Sequence, residues 1–309
     1  MDAIALRGVT KQFGDVTAVD GLDLAVPEGE VFGFLGPNGA GKSTTINMLL
    51  DFVRPTTGTV KVLGRNAQAE SVAVRQRTGV LPEGFDVYDR LTGRTHVEFA
   101  MESKDVDGDP DRLLERTGIA DAADRKAGGY SKGMRQRLAL AMALVGEPDL
   151  LILDEPSSGL DPSGAKEMRE IVRAEAERGA TVFFSSHVLG QVEAVCDRVG
   201  ILREGSLVAE DSIADLRDAV DGGERLVVNV AGSADAVDLS GVSALSGVSS
   251  ADAVDGEIVV SCDADAKPAV VDAVEGAGVA VKNFRTEEAS LEDLFLAYTE
   301  GDEPQEVRA

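Results

Sequence analysis

The sequence predicts an α/β fold with a mostly parallel sheet, followed by a small α+β domain. Over the first 220 residues, short apolar and β-branched runs alternate with helical patterns. Continuous apolar strands are typical of a parallel sheet covered on both faces. Beyond residue 220 the charge changes, because 221–309 hold 19 acidic and 5 basic residues. Turn-forming residues at 218–224 predict a boundary, giving domains at 1–220 and 221–309.

Strands and helices are expected to alternate in the first domain. Strands are predicted at 31–35, 150–153, 181–184 and 199–202, and helices at 42–50, 131–145, 162–177 and 188–196. The region 93–127 has a mainly helical pattern, so we expect a helical lobe at about 85–145 to interrupt the alternation. In the second domain, strands are predicted at 226–230, 257–261 and 279–284, and helices at 267–275 and 290–298.

The charge disfavours partners that are themselves anionic. The 309 residues include 30 Lys and Arg against 55 Asp and Glu, for a formal net charge of −25. Without a dense basic block such a chain repels nucleic acid, so we expect no nucleic-acid partner. Lysines are few, 9 against 21 arginines, and this composition resembles that of proteins from salt-loving microbes. An ordinary acidic, solubilising surface is the alternative.

The small numbers of cysteine and histidine residues disfavour disulfide-rich and zinc-binding proteins. Two cysteines, Cys196 and Cys262, cannot form a disulfide framework, and with two histidines a structural zinc site is not expected. No apolar run approaches the roughly 18 residues of a membrane span, and the first residues lack the layout of a signal peptide. We therefore expect a cytoplasmic protein without a transmembrane segment.

The strongest signal for a site is the stretch GPNGAGKST at 36–44, which matches the pattern GxxxxGK[ST]. It follows an apolar strand and opens a helix, so backbone N–H groups and the helix dipole can bind phosphate oxygens. Lys42 can reach the β- and γ-phosphates, and Ser43 can ligate Mg²⁺. A glycine-rich turn that only caps a helix is the alternative. The predicted phosphate-binding residues are Gly36, Asn38, Gly39, Gly41, Lys42, Ser43 and Thr44.

Two carboxylates, Asp154 and Glu155, follow the strand predicted at 150–153. They therefore stand at the carboxyl end of a buried strand, where open α/β sheets bind ligands. Asp154 suits the Mg²⁺ shell, and Glu155 suits polarising an attacking water. Because two carboxylates beside a nucleotide need a cation between them, Mg²⁺ is implied. The alternative is a strand that ends in solvated acids.

A third segment begins the helix predicted at 131–145. Ser131 is a good N-cap, and Gly133 in the first turn leaves its amide accessible. A helix start with a hydroxyl and open amides can bind a phosphate, although a plain N-cap explains the same residues.

These segments, in this order, resemble the ATP-binding subunit of ABC transporters. Phe13 stands where that family has an aromatic residue that stacks on adenine, although packing on the sheet is an alternative. Asp161 ends the stretch SGLD at 158–161, which looks like the D-loop of the family. His187 ends the stretch SSH at 185–187, which looks like its switch histidine. The resemblance covers about residues 1–220 and implies a P-loop NTPase fold, in which an antiparallel β part and the helical lobe accompany the mostly parallel sheet.

Two positions depart from the general family pattern. The signature, usually LSGGQ, reads YSKGM at 130–134, and Glu83 takes the place of the usual glutamine after the outer strand. Both variants resemble the daunorubicin-resistance-type branch, which serves drug, antibiotic and polysaccharide exporters. The tail stretch SLEDLFL at 290–296 matches a helix in the C-terminal domain of that branch. Glu83 can still offer an oxygen to Mg²⁺.

The resemblance implies an ATP-hydrolysing subunit that powers export through a separate membrane permease, on the cytoplasmic face of the membrane. It also implies ATP and Mg²⁺ as cofactors and a homodimer, in which Ser131 and Gly133 of one copy close over ATP on the other. Glu155 would act as general base, His187 would contact the γ-phosphate, and Asp161 would couple the two sites. A non-transport ABC-type ATPase and a nucleotide-gated regulatory module are the alternatives.

Two other residues of reactive type have structural interpretations. His96 lies on a predicted helix and is expected to have a surface or packing role, because nothing pairs it with a metal. Cys196 follows apolar residues at helical spacing and is expected to be buried.

Overall fold

The computed structural model of this chain describes residues 1–186, 189–219, 224–234, 237–254 and 256–288, together with Leu291, Phe295 and Tyr298. The chain divides into two compact units, 1–211 and the part from 212 onward. The boundary predicted at 220 falls inside the second unit, because that unit begins with a short helix ahead of the turn-forming residues. Within the described residues, no helix combines the length and apolar character that a membrane crossing requires.

The first unit contains strands and helices in alternation. Its strands are β1 (Asp2–Phe13), β2 (Val16–Pro27), β3 (Val31–Leu35), β4 (Thr57–Val62), β5 (Arg65–Asn66), β6 (Thr78–Leu81), β7 (Leu150–Asp154), β8 (Thr181–Ser185), β9 (Arg198–Arg203) and β10 (Ser206–Ser212). Its helices are α1 (Lys42–Leu49), α2 (Ser71–Gln76), α3 (Gly93–Lys104), α4 (Pro110–Arg116), α5 (Lys132–Ala143), α6 (Pro162–Glu177) and α7 (Leu189–Glu193).

The strands of this unit form two β-sheets. The first is antiparallel, with strand order β2–β1–β4–β5. The second has the order β10–β9–β3–β8–β7–β6, and its strands from β9 to β6 are parallel. Every residue of β3, β7 and β8 is buried, as expected for a parallel sheet covered on both faces. The structure thus confirms the α/β class and the mostly parallel sheet.

The parallel register brings the ends of four strands to one edge of the second sheet. Leu81 pairs with Leu153, and Asp154 pairs with Ser185. Phe34 of β3 also pairs with Ser185. The segments that follow β3, β6, β7 and β8 therefore leave the sheet at the same edge.

Helices α3, α4 and α5 form the helical lobe around a core of their own, which includes Val97, Leu114 and Leu138. An ion pair between Arg116 of α4 and Glu175 of α6 links the lobe to the sheet-bearing part. Glu175 is buried and also pairs with Arg178 at 2.7 Å. A charged group buried to this degree is stabilised by such pairing, so the link fixes where the lobe is attached.

His96 packs inside the lobe, so of the surface and packing roles expected for it, the structure shows packing. Its Nε2 accepts a hydrogen bond from the backbone N–H of Tyr88 at 3.0 Å, and its Nδ1 lies 2.7 Å from the carbonyl oxygen of Thr92. The imidazole is buried and stacks on the Tyr88 ring. It therefore joins α3 to the loop that follows β6.

The second unit contains α8 (Ile213–Ala219), β11 (Glu224–Val230), α9 (Ser240–Ser243), β12 (Val248–Val254), β13 (Glu257–Cys262), α10 (Lys267–Gly276) and β14 (Val281–Glu288). Its antiparallel sheet has the order β12–β13–β11–β14. Apolar residues of β11 and β13 pack with Val270 and Val274 of α10. The α+β class is confirmed, and the helix predicted at 290–298 lies mostly outside the described residues.

Candidate functional site

The loop after β3 has the geometry of a phosphate cradle. Gly41 has φ 106°, and a Cβ atom there would lie 2.5 Å from the carbonyl oxygen of Ala18, so only glycine fits. The buried Thr45 hydroxyl donates to the Gly41 carbonyl at 3.0 Å and fixes the first turn of α1. Because Gly41 has no side chain to cap that turn, its N–H groups remain available to a phosphate.

Lys42, the first residue of α1, folds back over this loop. Its Nζ donates to the carbonyl oxygens of Gly36 at 2.6 Å and Pro37 at 3.1 Å. Burial lowers the pKa of the Lys42 ammonium, and the charges of Glu155, Asp154 and Glu83 oppose that effect. The ammonium is therefore held at the loop, where it can become the partner of a bound triphosphate.

The predicted carboxylates lie at the end of β7. Asp154 and Glu155 are 6 % and 8 % exposed. Glu155 has φ 50°, a left-handed conformation that is uncommon for a non-glycine residue and clusters at functional sites. Burial raises the pKa of Asp154, helped by Glu83 and Glu155 and opposed by the Ser185 hydroxyl and Lys42. The carboxylates of Asp154, Glu155 and Glu83 thus all interact electrostatically with the Lys42 ammonium.

This donor set fits Mg²⁺ that is shared with a nucleotide. In the described part of the chain, no group of three or more His, Cys, Asp or Glu side chains is arranged to hold a metal by itself. Mg²⁺ is usually held by one or two carboxylates together with substrate phosphates. Asp154, Glu83 and the exposed hydroxyl of Ser43 supply oxygens of that kind around the loop.

The predicted signature segment begins α5. The Ser131 hydroxyl accepts from the backbone N–H of Met134 at 3.2 Å, so Ser131 is the N-cap. One turn further on, the Gln136 side chain donates to the carbonyl oxygens of Glu155 at 3.3 Å and Pro156 at 2.9 Å. Sequence analysis did not single out Gln136. Its position one turn after the predicted cap was the available signal, but the sequence does not show which loop this turn packs on.

A cleft of about 450 Å³ lies between the start of α5 and the loops after β6 and β7. Its lining combines acidic and basic groups with two aromatic rings. The lining residues are Glu83, Gly84, Phe85, Tyr130, Lys132, Arg135, Gln136, Glu155 and Ser158. The helical lobe and the sheet edge thus meet where Glu155 lies.

The remaining predicted residues lie in separate places. Phe13 ends β1 with 48 % of its surface exposed, and the Lys11 ammonium lies 4.7 Å from its ring centroid. The ring is therefore accessible rather than packed in the core, and its stacking on adenine stays a prediction. Asp161 caps α6, accepting from the backbone N–H of Gly164 at 2.9 Å. His187 lies outside the described residues.

Ser131 and Gly133 do not complete the pocket within one subunit. In the part of the chain that the structure describes, no hydrogen bond joins either residue to the loop at 36–44. A Cβ atom on Gly133 would instead lie 3.2 Å from the carbonyl oxygen of Gly159. The start of α5 therefore presents its amides at the surface, next to the loop after β7.

The glycine-rich loop follows a central parallel strand, and acidic residues lie at the ends of nearby strands. This combination defines a P-loop nucleotide-binding protein. The family model described as ABC transporter matches residues 19–158, and the model described as ATP-binding protein DrrA1-3-like, C-terminal domain, matches 212–299. The chain belongs to the ATP-binding proteins of ABC transporters and carries a DrrA-like C-terminal domain. It is an ATP-binding, ATP-hydrolysing cassette.

Individual relatives support the same family. The daunorubicin resistance ATP-binding protein DrrA3 of Streptomyces coeruleorubidus is 35% identical over 312 residues, covering 97% of this chain and 96% of that protein. The bacitracin transport ATP-binding protein BcrA of Bacillus licheniformis is 41% identical over 210 residues, covering 67% and 69%. A dimeric bacterial ABC transporter cassette of known structure has a TM-score of 0.63 at 25% identity, covering 68% and 98%.

Proposed function

We propose that this cassette powers export of a small or polymeric compound through a separate membrane permease, docked on the cytoplasmic face of the membrane. The observation that carries the proposal is the cluster of Asp154, Glu155 and Glu83 around Lys42 at the P-loop, which suits ATP hydrolysis. Relatives named for daunorubicin resistance and bacitracin transport support a transport role, and a relative named for Nod factor export supports its direction. An ATPase with no transport partner remains the second candidate.

A surface for the permease lies on the helical lobe and the loop after β6. Tyr88, Phe99 and Leu91 are exposed apolar side chains in this region. His96 ties the backbone of Tyr88 to α3, so the loop and the lobe present one surface. Exposed aromatic and aliphatic side chains of this kind are typical of protein–protein contacts. The same loop carries Glu83, which would transmit docking to the nucleotide.

The catalytic arrangement that we propose needs two copies of the chain. ATP would bind the P-loop of one copy, with its adenine on Phe13, and the Ser131–Gly133 helix start of the other copy would close over the γ-phosphate. Each charge-assisted contact to that phosphate contributes about 1.5–3 kcal/mol, so hydrolysis would remove several contacts and open the dimer. Similarity to a dimeric cassette supports this geometry.

Each predicted residue has a role in this arrangement. Lys42 holds the phosphates, and Glu155 accepts a proton from the attacking water. His187 would contact the γ-phosphate, and Asp161 would couple the two sites across the dimer. The segment that carries Asp161 adjoins the start of α5 in the same subunit, which places both at the same surface.

Mg²⁺ would be held by Asp154, Ser43 and Glu83, and when bound it neutralises charge on the phosphates. ATP hydrolysis should therefore fall at least about 100-fold when a chelator removes divalent cations, and return on addition of Mg²⁺. The measurement is phosphate release by the purified chain. Turnover that is unchanged in excess chelator would exclude this metal assignment.

The export function can be tested in vesicles that contain the chain together with its candidate permease. We expect ATP-dependent movement of cargo away from the nucleotide side, and no movement with the Glu155→Gln variant. Co-purification of the chain with the permease from membranes is the first step. If the chain hydrolyses ATP but binds no membrane protein, the non-transport alternative is correct.

We also propose that the acidic surface is an adaptation to high salt. With a formal net charge of −25, the surface charges repel one another in dilute buffer. At about 1 M salt the Debye length falls to roughly 3 Å, so this repulsion is screened. The melting temperature should then be at least about 5 °C higher in molar KCl than in dilute buffer. Equal melting temperatures in the two solutions would favour an ordinary solubilising surface.

A further inference from the structure

Lys132 links the start of α5 to the loop after β7. Its Nζ donates to the Ser158 hydroxyl at 3.1 Å. Its aliphatic stem lies over Gly159, where a Cβ atom would be 2.4 Å from the Lys132 Cδ. Gly159 also has φ 80°, so the backbone there favours glycine, and the missing side chain leaves room for the lysine stem. The general signature has glycine at the position of Lys132, and glycine cannot form this link.

Two further contacts hold the same loop against α5. Gly133 approaches the Gly159 carbonyl, since a Cβ atom there would lie 3.2 Å from it. At the other end, Gln136 donates to the carbonyl oxygens of Glu155 and Pro156. The loop therefore follows the first two turns of α5 from the proposed catalytic base to Gly159.

We propose that Lys132 is a positioning residue that holds the 158–161 loop against the start of α5, so that both segments meet the facing subunit as one surface. This inference rests on the proposed nucleotide-bridged dimer, whose interface includes both segments. Lys132 is exposed and Ser158 half-buried, so the link is adjustable rather than part of the folded core. Its loss should weaken closure of the dimer and leave the fold intact.

The expected effect follows from the symmetry of the dimer. A two-fold dimer contains two such links, so one substitution removes two hydrogen bonds from each dimer that closes. An exposed charged hydrogen bond contributes modestly, and we expect the ATP concentration for half-maximal dimer formation to rise about three- to tenfold. Binding of ADP to one subunit should not change, because neither Lys132 nor Ser158 lies on the P-loop of its own chain.

The test uses the full chain in the Glu155→Gln background, where we expect closed dimers to accumulate. Sedimentation velocity across an ATP titration compares Lys132→Met, Ser158→Ala and the double variant. We expect both single variants to shift the midpoint about three- to tenfold and the double variant to shift it no further. Lys132→Arg, which keeps a donor for Ser158, should restore the midpoint. Lys166→Met, an exposed lysine of α6, is the charge-matched control.

Three results would overturn the inference. A shift with Lys132→Met but none with Ser158→Ala would mean that the lysine acts on another group, such as the phosphate. Midpoints equal to the control in every variant would mean that the link has no role. A Glu155→Gln parent that stays monomeric with ATP would instead overturn the nucleotide-bridged dimer, and this inference with it.

Discussion

Replacing Glu155 by glutamine is expected to lower ATP turnover about 10²–10⁴-fold while ATP binding persists, because the amide cannot accept the proton of the attacking water. The variant should accumulate as a closed dimer in the presence of ATP and Mg²⁺. The measurements are phosphate release, nucleotide binding and the sedimentation of the same sample.

The structure explains why this substitution should leave the fold intact. Glutamine has the size of glutamate, and the backbone of residue 155 is held by its own N–H, which donates to the Ser185 carbonyl at 2.9 Å. Gln136 holds the carbonyl of Glu155 from the other side. The Ser186 hydroxyl lies 3.4 Å from Oε2 of Glu155 and can also contact an amide.

Glu170→Gln provides the matched control. Glu170 lies on α6 with an exposed side chain, 3.9 Å from Lys166, and the same chemical change there should leave turnover within about twofold. If Glu155→Gln hydrolyses ATP as fast as the wild type does, Glu155 is not the general base.

Lys42→Ala should weaken ATP binding about 10- to 150-fold, the loss of one charge-assisted contact of about 1.5–3 kcal/mol. The ammonium contacts the Gly36 and Pro37 carbonyl oxygens of the loop on which the phosphates would bind. Binding is measured by titration calorimetry with ATP and Mg²⁺. The melting temperature without nucleotide is measured alongside, because Lys42→Ala also removes the hydrogen bonds to the Gly36 and Pro37 carbonyls.

Lys166→Ala is the control for charge, since it removes an exposed lysine of α6. It should bind ATP as the wild type does. Tight ATP binding by Lys42→Ala would mean that the loop at 36–44 is not the phosphate site.

Much of the parallel sheet could be predicted because its strands are short apolar runs buried on both faces. The predicted strand 31–35 agrees with β3, and 150–153 differs from β7 by one residue. The long strands β1 and β2 were not predicted individually, because their buried positions are interrupted by register shifts. β12 was also missed, since it is mostly exposed and contains Asp252.

The candidate site was predictable to the extent that its residues are close in sequence or fixed by strand ends. The P-loop, Asp154 and Glu155 are of this kind, because strand direction places them at one edge. Gln136 and the link between Lys132 and Ser158 were not, because they depend on how α5 packs on a loop whose contacting residues are 19 to 26 positions away in the sequence. No periodicity in the sequence encodes that packing.

The most direct test of the account is a crystal structure of the Glu155→Gln protein grown with ATP and Mg²⁺. We predict two copies related by a two-fold axis, with each triphosphate between the loop at 36–44 of one copy and the Ser131–Gly133 helix start of the other. Nucleotide bound to a single copy with no facing subunit, or a loop at 36–44 without nucleotide, would contradict the account.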